Sequence, residues 1–139
     1  MRIIKFRSYN KIVGMEYNIQ DRSTFHKMLN NKNYQIMQFT GLTDKLGKEI
    51  YGGDIIKYSY PIGYSLCEIK FGIYDNGESY EDYEGGNGWY FEEHKFYYGR
   101  KTRGVNIYSL ETGHYPLNTY ECEVIGNVYE NPELLKERL

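Results

Sequence analysis

Apolar and polar positions alternate most cleanly at Cys67, Ile69, Phe71 and Ile73, with Glu68, Lys70 and Gly72 between them. Period two marks a strand with one buried face, so those four side chains are predicted to point into a core. The longest organised stretch runs from Ile36 to Lys57 and reads as strand, turn, short strand, turn, strand. In its first strand Ile36, Gln38 and Thr40 alternate with Met37, Phe39 and Gly41. Asp44-Lys45-Leu46-Gly47 predicts the first turn, the Asp side chain holding its start and Gly47 taking the positive-φ position. Gly52-Gly53-Asp54 predicts the second, before the β-branched start Ile55-Ile56. Such a corner bends at glycine while the Asp54 carboxylate accepts N–H groups of the following turn, so Asp54 is expected to be structural.

On the N-terminal side, Ile3 to Arg7 predicts a strand, Tyr9-Asn10-Lys11 a turn, and Ile12 to Tyr17 a second strand with Gly14 as a bulge. Phe25, Met28 and Leu29 then fall at helical spacing, with Ser23 as N-cap and Asn30-Asn31 as a stop, predicting a helix of about two turns. On the C-terminal side Tyr60 to Gly63 reads as a turn, Trp89 to Tyr98 as an aromatic strand, Val105 to Leu110 as another and Tyr120 to Val128 as the last. Asn131-Pro132-Glu133 predicts a terminal helix, with Asn131 as cap, Pro132 at the first position, and Leu134, Leu135 and Leu139 on one side.

Composition sharpens the β reading. The chain of 139 residues has 17 tyrosines and six phenylalanines and no alanine, the best helix former. So many tyrosines exceed what a small core holds, which predicts half-exposed rings on sheet faces or at subunit contacts. Net charge is −2 with both signs mixed along the chain, which gives no broad basic field for nucleic acid. No apolar run approaches the roughly 18 residues a membrane span needs. Arg2, Lys5 and Arg7 interrupt what a signal peptide would keep apolar, so a cytoplasmic protein is expected. Cys67 and Cys122 read as buried free thiols and, without further ligands at zinc spacing, predict no metal site.

The stretch from Ile36 to Ile55 resembles the YopX-like proteins of phages and prophages. So do Arg2 to Tyr9, with Tyr9 where a Trp is usual, and Val124 to Leu135. These three motifs occur in the same order as in the family and cover about a third of the chain. Gly52 departs from the pattern, standing where an acidic residue is usual. The resemblance implies an SH3-like β-roll in the later part of the chain and implies no activity. The expected fold is therefore all-β, mainly an SH3-like barrel or roll. Residues 1–33 would form a hairpin and short helix, residues 34–139 the roll with an exposed acidic insertion at 75–88, and the two would pack as one unit. Gly41, Asp44, Gly47, Gly53, Asp54, Gly126, Asn131 and Pro132 are its expected structural residues.

Little in the sequence commits to chemistry. The carboxylates Asp75, Glu78, Asp82 and Glu84 do not have EF-hand spacing. Glu92 and His94 share a strand face, but no nucleophile is committed to them; His26 falls on the polar side of a helix and His114 in a loop. No nucleophile elbow, phosphate loop, zinc-protease helix or dinucleotide fingerprint is present. Neither catalysis nor a cofactor is expected. The reading that fits is a phage- or prophage-encoded binding module that self-associates through tyrosine-rich surface, with a host or phage protein as a further partner. The alternative is a single-stranded nucleic-acid surface made by Tyr97, Tyr98, Arg100, Lys101, Arg103 and Tyr108, where rings stack bases and cations meet phosphates.

Overall fold

The computed structural model describes residues 3–60, 63–74, 86–97, 107–109 and 121–136. Its strands are β1 (Phe6–Asn10), β2 (Gly14–Tyr17), β3 (Gln35–Thr43), β4 (Glu49–Tyr51), β5 (Asp54–Tyr60), β6 (Gly63–Tyr74), β7 (Gly86–Tyr97), β8 (Ile107–Ser109) and β9 (Cys122–Asn127). A short helix, α1 (Phe25–Leu29), lies between β2 and β3. Pairing is antiparallel throughout, in a four-stranded sheet of order β2-β1-β3-β4 and a five-stranded sheet of order β8-β7-β6-β5-β9 that curls into a half-barrel. The fold is all-β, as the tyrosine-rich, alanine-free composition implies. No helix among the described residues is long and apolar enough to cross a membrane.

Ile50, Ile56, Cys67, Ile69, Trp89, Phe91, Cys122 and Val124 fill the main core. Each large apolar side chain buried there contributes about 1.5–3 kcal/mol. Ile19 and Met28 are buried under the first sheet, where Phe25 of α1 meets Phe6 of β1 at 5.3 Å between ring centroids. That contact gives so short a helix the tertiary support it needs.

The two sheets are joined at the corner between β4 and β5. Gly53 adopts φ 86°, a backbone state favouring glycine. Its N–H donates to the Ile69 carbonyl and its carbonyl accepts from Val128 N–H, both at 2.9 Å. Beside it the Asp54 carboxylate accepts from Arg7 Nη2 and from Tyr51 N–H, each at 2.7 Å. Asp54 is thus structural, but its partners are the preceding strand and β1, not the following turn. Asp44 does a similar job at the first turn. One of its oxygens accepts from Leu46 and Lys48 N–H and the other from Val124 N–H in β9, all at 2.9 Å. Gly47 follows with φ 81°.

Several boundaries differ from the sequence reading. β1 begins at Phe6 and includes Tyr9 and Asn10, while Ile3 and Ile4 lie exposed before it. The turn moves to Lys11–Val13 because Asn10 Oδ1 accepts from Ile12 N–H at 2.8 Å and Gly14 supplies φ 80° to re-enter the sheet. Ser23 is not the cap of α1; Thr24 occupies that position and makes no side-chain capping bond. Phe71 lies on the core's face of the sheet, opposite Trp89, but is not buried: it is 62% exposed and edge-on to Trp89 at 4.9 Å, where the long β6–β7 arms run on past the core. Gly86 to Gly88 belong to β7, because Gly72 to Tyr74 continue the ladder opposite them. The remainder of the acidic insertion, 75–85, lies outside the described residues.

The terminal helix is a single 3-10 turn, Pro132–Leu135, and Asn131 makes no side-chain capping bond to it. Instead Asn131 Oδ1 turns back to accept from Asn127 N–H at 3.2 Å. Gly126 makes room for this: a Cβ there would sit 2.5 Å from that oxygen.

Candidate functional site

Where β1 and its turn meet the segment just past β9, a groove of about 560 Å³ opens on the surface. One wall comes from β1 and its turn, through Tyr9, Asn10, Lys11 and Ile12; the other from Lys32, Asn33 and Gln35 on the approach to β3. Tyr129, just past β9, closes it. The rings of Tyr9 and Tyr129 stack at 5.6 Å with 16° between their planes. Asn127 shapes the turn that presents Tyr129, its side-chain oxygen accepting from Tyr129 N–H at 3.0 Å and Glu130 N–H at 2.9 Å. Asn10 Nδ2 donates to the Asn33 carbonyl at 3.2 Å and ties the two walls together. Beside the groove the hairpin tip holds two apolar side chains out in water, Ile12 at 91% and Val13 at 57% exposure. A volume of this size falls in the usual range for ligand sites.

Two polar clusters lie elsewhere. Arg7 and Asp54 form an ion pair with both side chains buried. The Arg7 guanidinium lies 4.6 Å from the centre of the Tyr51 ring. Burial raises the Asp54 carboxyl above its ordinary value, against the opposing pull of Arg7 and of the Tyr51 N–H. The Tyr51 hydroxyl is pushed up to about 12, first by burial and then by the Glu49 carboxylate. This cluster locks one sheet to the other and offers no entry to a substrate. On β6 and β7, His94 Nε2 lies 3.5 Å from Glu68 and 3.7 Å from Glu92, and Lys70 pairs with Glu92 at 2.8 Å. The sequence placed Glu92 and His94 on one face, and they are together. Glu68 and Lys70 join them only because register sets Glu68 opposite Glu92. Among the described residues no group of His, Cys, Asp and Glu is arranged to hold a metal ion.

Cys67 and Cys122 are both buried free thiols. Burial, then the Glu121 carboxylate, push the Cys122 thiol up to about 12, which leaves it without thiolate character at neutral pH. His26 is exposed on α1, and His114 lies outside the described residues. Of the aromatic–basic set, Tyr97 is in β7 opposite Tyr64, and Tyr108 is in β8 opposite Phe91. Tyr97 and Phe91 are six positions apart along β7, so about 20 Å of strand separates Tyr97 from the register position of Tyr108. Tyr98, Arg100, Lys101 and Arg103 lie outside the described residues.

The family model of the YopX protein matches residues 3–136, nearly the whole chain. The chain belongs to the YopX family. No curated protein matches it. Among solved structures, the crystal structure of protein EF1440 from Enterococcus faecalis is similar over 98% of this chain and 100% of that one, at 25% identity and a TM-score of 0.52. Membership gives the groove a second interest. Tyr9 and Tyr129 come from the opening and closing stretches that carry the family resemblance, and they meet in this YopX chain as one stacked pair. Sequence reading missed the groove because nothing local to either tyrosine names the other.

Proposed function

We propose that this YopX-family chain is a non-catalytic binding module that works through protein–protein contacts and self-associates. The observation that carries the proposal is the exposed hairpin tip, Ile12 and Val13, set beside an aromatic groove. Adjacent apolar side chains held in water next to a concave tyrosine-lined surface are what an association face presents before its partner arrives. The ionisable groups with the firmest geometry, Asp44, Asp54 and Arg7, are engaged in holding strands together. A phage or prophage setting, a cytoplasmic location and a host or phage partner are part of the same proposal and follow from the resemblance.

Sedimentation of the purified chain tests it. The expected result is a mass that rises with concentration, and an Ile12→Asp/Val13→Asp variant that stays monomeric with an unchanged fold. A chain that remains monomeric at every concentration refutes self-association. Steep weakening of single-stranded DNA binding with salt, reduced by neutralising Arg100 and Arg103, would instead establish the nucleic-acid alternative.

A further inference from the structure

The groove is not electrically neutral. Lys11 and Lys32 stand on its opposite walls, neither is ion-paired among the described residues, and no carboxylate lines it. This concentrates uncompensated positive charge in a chain whose net charge is −2. Between the lysines, Tyr129 and Ile12 offer apolar surface, while the side chains of Asn10 and Gln35 and the backbone of Asn33 are occupied with local bonds that hold the walls in shape. A ligand complementary to this surface carries carboxylates on either side of an aromatic or aliphatic anchor. We infer that the groove takes an acidic peptide segment of a partner protein, its anchor side chain against Tyr129 and Ile12 and its carboxylates toward Lys11 and Lys32. The inference rests on the protein-binding reading above and names the chemistry of the partner at that site.

A labelled ten-residue peptide, DNGESYEDYE, serves as the probe. It is the chain's own stretch from Asp75 to Glu84, with five carboxylates, two tyrosines and no basic residue. Its counterpart has every Asp and Glu changed to Asn and Gln. Fluorescence anisotropy should show the acidic peptide binding and the amidated one binding about two- to thirty-fold more weakly, as two exposed charge pairs allow. Binding should weaken as salt rises. The Lys11→Glu/Lys32→Glu variant should lose the preference, and Tyr129→Ala should weaken both peptides. An unchanged urea midpoint for each variant shows that the fold is intact.

Equal binding of both peptides, no binding of either, or charge reversal without effect overturns the inference. So does tripolyphosphate binding with the same lysine dependence when the peptide does not bind, because a small anion is then the ligand. Self-association abolished by the lysine reversals, with no peptide bound, assigns the groove to a second copy and also overturns it. The two proposals fail separately. A monomer that binds the acidic peptide refutes self-association and leaves the groove assigned, whereas an oligomer indifferent to the peptide does the reverse.

Discussion

Replacing Asp44 by alanine removes the acceptor for three backbone N–H groups at once. Their costs differ. The Val124 N–H belongs to a buried bond in β9, and leaving it unpaired costs about 1–3 kcal/mol. The Leu46 and Lys48 N–H groups are part-buried and can turn to water, so each costs about 0.5–1 kcal/mol. The expected loss is therefore about 2–5 kcal/mol, a large share of the roughly 5–15 kcal/mol that holds a domain together. Urea unfolding followed by the fluorescence of Trp89, the single tryptophan and a core residue, reads this directly. With a slope of about 2 kcal/mol per molar for a chain of this size, the midpoint should fall by about 1–2.5 M. Asp44→Asn keeps one acceptor oxygen and should lose about half as much.

The same residue sets a pH dependence. Burial raises the Asp44 carboxyl, but the N–H groups of Val124, Lys48 and Leu46, with the charge of Lys48, outweigh it and hold the group below its ordinary 3.8. A carboxyl lowered in the folded state stabilises above the unfolded value, and that contribution is lost as pH falls through the folded value. The advantage of the native chain over Asp44→Asn should thus be full at pH 7, shrink below 3.8 and vanish at lower pH. A midpoint shift under 0.5 M for Asp44→Ala, or a gap from Asp44→Asn that widens in acid, would refute the reasoning.

Two further outcomes follow from the geometry. A Cβ on Gly52 would lie 2.9 Å from Trp89 Cζ3, so Gly52→Ala should cost about 1–3 kcal/mol by urea unfolding. Cutting the ring back with Trp89→Leu should remove most of that extra cost, followed by circular dichroism in the absence of the tryptophan. Arg7→Met and Asp54→Asn should each cost about 3–5 kcal/mol, because each strands a buried partner. The double variant should cost at least about 1 kcal/mol less than the sum, and additive costs would show that the pair is not coupled.

What the sequence conveyed was local. Cys67 and Ile69 announced a buried face through period two, and Asp44, Gly47 and Gly53 announced the turns through side chains and φ values that few other residues supply. Phe71 shows the limit: the same alternation, and the pairing of β6 with β7, continue past the point where the core ends, and pattern alone does not record where a strand face stops being covered. Asn131 reads in sequence as the cap of the helix after it, whereas its oxygen serves the strand before it, because a cap and a back-bonded turn use the same residue type. The usual acidic residue missing at Gly52 has a physical reason once Trp89 is seen to occupy the space. The Arg7–Asp54 pair, the Glu68–His94 contact and the stack of Tyr9 on Tyr129 all depend on register or on distant segments meeting, and no stretch of sequence states either.

The bond from Val124 to Asp44 spans 80 residues, and this bears on how the molecule is born. A ribosome adding about 5–20 residues each second needs about 4–16 s to deliver the distant donor after the acceptor has been made. For most of that interval, once β5 has been made, it has one flank without its neighbour, since β9 has yet to be translated. The nascent polypeptide must therefore outlast a window of seconds in which an open ribbon edge faces the crowded cell, until β9 emerges to seal it.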